Sequence, residues 1–287
     1  MREEKRVAIQ VLLFILTFFT TLVAGTGLVL GIPLERPYLL FMAIQKTPAN
    51  LFLGLVFSVP LLSILAIHEM GHYVAARRHN VAVTPPYFLP APSFIGTFGA
   101  FIRIKSPVPH RDALLDIGAA GPIAGALVAI PVLLIGLKMS AIRPSAGIGG
   151  IPLGESLLFR AASFLVLGEI PNGYDVVLHP VAFAGWIGLL VTALNLLPSG
   201  QLDGGHIAYA LFGDRYEKIA RAIPFVLLPM GFLWGGWIIW SLLLLVLGTS
   251  HPRPVFDEVP LSQGRRRVGI LAGILFLACF TPNPVPM

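Results

Sequence analysis

Charge is scarce in this 287-residue chain: Asp, Glu, Lys and Arg together make up 12% of it, about half the share usual in water-soluble domains. Hydrophobic residues fill the deficit at 56%, and the mean hydropathy is +0.83. That excludes an ordinary aqueous domain and leaves an all-α polytopic membrane protein. Cysteine is nearly missing too. Cys279 stands alone in an apolar run, so it forms no intrachain disulfide and reads as a small buried apolar side chain. Acidic residues are the scarcer charge, 14 against 20 Lys and Arg, which gives a net +6. The basic residues are scattered in twos and threes beside apolar runs, where they act as topology signals; a nucleic-acid partner is excluded.

A bilayer-crossing helix needs about 20 apolar residues, so the length allows about six passes and their loops. The expected spans are 7–30, 51–76, 114–137, 181–197, 219–247 and 268–280, in one membrane-embedded domain covering 1–287 with a core at 51–205. The first is too long for a signal-peptide core and lacks a small-residue cleavage site. Between the first two spans lies a mixed loop with room for a short interfacial helix. The amphipathic piece "ESLLFRAASFLVL" lies on the interface, and Trp234, Trp237 and Trp240 serve as an interface anchor. Arg2, Lys5 and Arg6 put the N-terminus in the cytoplasm, and counting passes puts Arg77, Arg78, Arg103, Lys105 and Arg111 there as well. Arg265, Arg266 and Arg267 then fall outside, unless the 219–247 region is a hairpin.

Within the second span sits HEMGH, residues 68–72, which holds the only acidic and imidazole side chains between Leu51 and Ala76. On a helix His68 and His72, at i and i+4, share one face and can reach one metal ion. Glu69 sits beside them, close enough to take a proton from a water that the ion acidifies. The alternative is a histidine pair bonded to backbone or water inside a bundle. Ionisable groups in lipid are costly and mark function, which disfavours that alternative. Catalytic zinc uses three protein ligands and one open position. The candidate third is Asp203, delivered by the kinked, glycine-rich "NLLPSGQLDGG" at the end of an apolar run, where ordinary Asp-Gly turn chemistry is the competing explanation. His206 is a rival ligand, placed behind the first set.

HEMGH at 68–72 and NLLPSGQLDGG at 195–205, in this order and setting, resemble the site-2 proteases, intramembrane zinc metalloproteases (peptidase M50-like). The small-residue segment "AAGPIAG" at 119–125 is similar to the family's third-helix pattern, and the resemblance runs from about Leu51 to Leu247. It implies one Zn²⁺ per chain held by His68, His72 and Asp203, with Glu69 as catalytic base and Asn195 facing the reacting carbonyl. It further implies a transmembrane protein as substrate, cut within or near its membrane segment, with the bilayer as surroundings; oligomeric state is left open. No gap between the expected spans is long enough for the PDZ domain of some members, and no regulatory soluble domain is expected after the last run.

A peptide bond in a transmembrane helix must be unwound before water can attack it. "SFIGTFGAFIRIK", residues 93–105, alternates in strand fashion, with Phe94, Phe98, Ile102 and Ile104 on one side and Thr97, Arg103 and Lys105 on the other. A small β-hairpin or strand near the active site is therefore expected, either pairing with the loosened substrate or packing beneath the bundle. Two other classes remain as alternatives. A membrane metal-ion transporter predicts ligand clusters on several spans and symmetry between halves, and an inactive scaffold predicts the loss of Glu69 or a ligand. The sequence shows neither pattern.

Overall fold

The computed structural model describes residues 2–32, 36–146 and 149–286, the side chains of 2–5 excepted. Arg2 and Lys5, read above as topology signals, lie outside the described side chains, as do residues 33–35 and 147–148 of the expected domain. The chain is mostly helical. Three helices are long and apolar enough to cross a membrane, at Arg6–Val29, Pro48–Arg78 and Arg111–Lys138.

Helix α1 (Arg2–Val29) carries a buried polar line, Gln10, Thr17, Thr21 and Thr26. The Thr17 and Thr21 hydroxyls donate to backbone carbonyls one turn back, at 2.8 Å each, so neither is left unsatisfied in apolar surroundings. Gln10 Nε2 donates to Pro85 O at 2.8 Å and Thr20 Oγ1 to Gly96 O at 2.6 Å, which fastens α1 along the β-hairpin. Helix α2 (Pro37–Lys46), the short helix for which the loop had room, leads through a 3₁₀ turn at Pro48–Gly54 into α3 (Leu55–Arg78).

Strands β1 (Tyr87–Pro90) and β2 (Thr97–Phe101) form an antiparallel hairpin with a register shift at Leu89/Pro90. The expected strand over 93–105 is thus shorter than its alternation implies. Gly99 lies at φ 102, a left-handed conformation suited to glycine, and its N–H bonds Thr97 Oγ1 at 2.9 Å. Beyond Phe101 the chain pairs with residues 82–84 instead, through Thr84 N to Arg103 O and Lys105 N to Ala82 O. Ile102 and Ile104 consequently pack with Val81, Val83 and Ile117, whereas Phe98 stands 76% exposed.

The core lies where α3, α4 (Arg111–Lys138) and α6 (Pro180–Asn195) meet. Phe57, Leu61 and Ile64 pack there against Leu133, Leu137, Ile187 and Leu189. Lipid tails are as apolar as leucine, so this contact depends on close approach. At Gly185 a Cβ would lie 2.7 Å from the Leu133 backbone. Between α4 and α6, β3 (Ala141–Pro144) pairs with β4 (Tyr174–Val177) around α5 (Leu157–Leu167), the expected amphipathic piece.

After α7 (Asp203–Phe212), the run expected as one span at 219–247 is two helices, α8 (Tyr216–Met230) and α9 (Gly236–Leu247). They fold back on each other around Gly231–Gly235, and Ser241 Oγ donates to Pro224 O at 2.8 Å across the pair. The glycines break the helix because they add backbone freedom and no packing side chain. Trp237 is no interface anchor: it is 1% exposed and its indole N–H donates to Pro282 O at 2.7 Å. Helix α10 (Gln263–Cys279) is 17 residues long, longer than the run of 268–280, because Arg265–Arg267 are helical. Arg265 pairs with Asp116 at 3.0 Å and Asp112 at 3.4 Å, which brings the start of α10 beside the start of α4 and leaves all these arginines at one end of the bundle. Cys279 is fully buried, as its apolar surroundings imply.

Candidate metal centre

The α3 helix places His68, Glu69 and His72 inside the bundle, each 5% exposed or less. Their position is set by α4. At Gly121 a Cβ would overlap the His72 imidazole, and at Gly125 it would lie 3.0 Å from His68 Nδ1. With Gly118, which faces His206, these glycines recur at i, i+3 and i+7 and open a trough along one face of α4 for the side chains. This is the physical content of the small-residue segment.

His72 Nδ1 faces Ile117 O at 2.7 Å. A carbonyl only accepts, so Nδ1 carries the proton and Nε2 presents a lone pair. That Nε2 lies 3.1 Å from His68 Nε2 and 3.2 Å from Asp203 Oδ2, and His68 Nε2 lies 3.3 Å from the same oxygen. The third side chain arrives from the irregular turn after α6. Gly200 bends the chain at φ 58, Tyr216 OH donates to Gly200 O at 2.9 Å, and Gly204 packs so closely on Leu196 O that no side chain fits. Asp203 is the first residue of α7, where the positive end of the helix favours a carboxylate. Asn195, the last residue of α6, brings Nδ2 to 3.3 Å from His68 Nε2. Strand β2 packs against α3, the helix that carries Glu69.

His68, His72 and Asp203 offer ligand atoms within 4.8 Å of one another. Two imidazole nitrogens and one carboxylate oxygen crowded this closely repel unless a cation or proton lies among them. Ligands about 2.0–2.1 Å from a small tetrahedral ion sit ~3.3 Å apart, and the 3.1–3.3 Å spacings match that. The residues present therefore fit a divalent ion.

His206 is not in this set. Its Nδ1 bonds directly to Nε2 of His251, which sequence reasoning missed. His251 lies in the extended stretch after α9, and its ring stacks on Tyr209 at 4.9 Å. Further along, Asp257 receives Arg111 Nε and Tyr209 OH, each at 2.9 Å. Burial pushes its carboxyl up, but these two bonds outweigh that and hold it below the usual aspartate range. A histidine and an aspartate in a short proline-containing stretch behind a long apolar run were the available signal.

A model of Peptidase family M50 matches residues 56–231, more than half of the chain. The chain is 33% identical over 230 residues to the probable zinc metalloprotease EGY2, chloroplastic, of Arabidopsis thaliana, covering 78% of this chain and 40% of that protein. It is 34% identical over 234 residues to the probable zinc metalloprotease EGY1, chloroplastic, of the same plant, covering 78% and 42%. To the probable zinc metalloprotease EGY3, chloroplastic, of Oryza sativa subsp. japonica it is 31% identical over 248 residues, covering 77% and 41%. The chain thus spans about two fifths of the length of these relatives. With both motifs inside or beside the trough formed by α4, and with the family match running across them, the chain belongs to peptidase family M50.

Proposed function

We propose that this chain is an intramembrane zinc metalloprotease that hydrolyses a peptide bond within or near the transmembrane segment of a membrane-protein substrate. The observation that carries the reading is the convergence of His68, His72 and Asp203 beside Glu69, in helices apolar enough to lie in a bilayer. The names of the relatives supply zinc as the metal. Zinc held there supplies a Lewis acid that polarises a carbonyl and acidifies water.

His68, His72 and Asp203 bind it, and the bond from His72 Nδ1 to Ile117 O keeps Nε2 free for that task. Glu69 takes the proton of the attacking water and returns it to the leaving amine. Asn195 Nδ2, a donor beside His68, holds the developing oxyanion. The edge of β2 that pairs with no strand among the described residues takes the unwound substrate as an added strand, with backbone hydrogen bonds giving register. The helices cross the membrane as a multi-pass bundle, with the end bearing Arg77, Arg111 and Arg265 in the cytoplasm.

The deciding experiment measures metal content and cleavage of a single-pass substrate, for the parent and Glu69→Gln, in the same lipid preparation. Zinc in both proteins with cleavage only by the parent supports the reading. A parent that holds no metal, or a Glu69→Gln protein that cleaves at near-normal rate, refutes it.

A further inference from the structure

The stretch that follows α9 lies beyond residues 56–231, and the chemistry above makes no use of it. It nevertheless grips the helix that begins with Asp203 at two points. His251 Nδ1 faces Pro252 O at 2.6 Å, so Nδ1 carries the proton and Nε2 is an acceptor. His206 must then donate to it through Nδ1. One helical turn on, Tyr209 lies under the His251 ring at 4.9 Å and 22°, and its hydroxyl donates to Asp257 Oδ2 at 2.9 Å. Asp257 is tied in turn to Arg111, the first residue of α4.

Residues 206 and 209 are i and i+3, on one face of α7, so the two attachments resist rotation of the helix about its axis. This matters because α7 has only 10 residues and no side-chain cap at its N-terminus. Rotation would swing Asp203 Oδ2 away from its positions 3.2 and 3.3 Å from the imidazoles. We infer that His251 is a positioning residue, which through His206 sets the rotation of α7 and hence the reach of Asp203 into the metal centre. The inference rests on the proposed ligand role of Asp203.

The test uses the full chain in lipid nanodiscs loaded with zinc, and follows zinc loss to a chromogenic chelator. His251→Phe keeps a ring on Tyr209 but has no acceptor for His206; His251→Gln restores an acceptor without the ring. Losing a partner bonded directly to a ligand costs about 10 to 100-fold in metal affinity or activity. His251 acts one residue further out, through His206, so His251→Phe is expected to release zinc about 10-fold faster, at the low end of that range, with His251→Gln returning close to the parent. Parent-like release from His251→Phe, or equal acceleration in both variants, overturns the inference, because then the bond does not matter or only the ring does. Spectra of ¹⁵N-labelled histidine need no zinc: they are expected to show His206 as the Nδ1–H tautomer in the parent, and the other tautomer there overturns the inference. Asp203→Ala in the same chelator assay separates the two levels. If it holds zinc like the parent, the ligand assignment itself fails and the inference falls with it.

Discussion

Gly121 of α4 and His72 of α3 occupy one space: the hydrogen of the glycine stands where any Cβ would overlap the imidazole. The candidate metal centre is therefore shaped by two helices, one carrying the imidazoles and the other leaving out a side chain. Gly121→Ala should push His72 off its bond to Ile117 O and lower zinc content sharply, by an outer-shell loss of about 10-fold or more. Metal analysis against a Gly273→Ala control, at a site with open space around it, tests this. Equal zinc in both proteins would show that the trough tolerates a methyl.

Asp203→Ala should lose zinc and activity together, whereas His206→Ala should keep measurable zinc, because His206 bonds His251 and stands outside the cluster of His68, His72 and Asp203. The reverse order of zinc contents would make His206 the third ligand.

Edge pairing by β2 cannot be tested with a proline at position 99. Proline fixes φ near −65°, and Gly99 sits at 102° with its N–H bonded to Thr97, so that change breaks the hairpin whatever the substrate does. Phe98 is the better handle, since it is exposed on β2 while the native Cys279 is fully buried. Phe98→Cys, combined with Glu69→Gln, should form a disulfide with a substrate carrying one cysteine near its cleavage site. Cross-linking that is no greater than with a cysteine outside the membrane segment would place the substrate elsewhere.

Burial pushes the His251 imidazole down to about 4, against the opposing bond to Pro252 O. The ordinary value is about 6.5. Folding thus favours the neutral ring, whose stabilisation is complete above about 6.5 and is lost as pH falls from there to about 4. Thermal unfolding of the parent should lose stability over that window more steeply than His251→Gln does. Parallel curves would mean that His251 contributes nothing to the pH dependence.

The two motifs were legible because each is local. HEMGH declares its geometry through a helical spacing of four, and the Asp203 turn announces itself through glycines at the end of an apolar run. The hairpin was half legible: the alternation marks an extended segment, but not the register shift at Leu89/Pro90 or the change of partner beyond Phe101, and Phe98 is exposed while Ile102 and Ile104 pack inward. The fold-back of α8 on α9 was harder to read: one long apolar helix and two short antiparallel ones have the same composition, and only Gly231 to Gly236 differ. The pairing of His251 with His206 was out of reach, because the two are 45 residues apart and no periodicity joins them. Pairing across such a distance is decided by tertiary packing, which propensity does not encode.

The fold-back also changes the bookkeeping of which compartment each loop meets. Because α8 and α9 return the chain to the end where it started, α10 leaves from beside Asp116 and carries residues 281–286 to the opposite end. There Gly154 N–H donates to Pro284 O at 2.8 Å. Two stretches about 130 residues apart in sequence thus share one end of the bundle, while the loop holding Arg103 and Lys105 lies at the other. A membrane-impermeant thiol reagent should consequently label a cysteine at 153 and one at 285 from the same side, and one at 105 only after the membrane is opened or inverted.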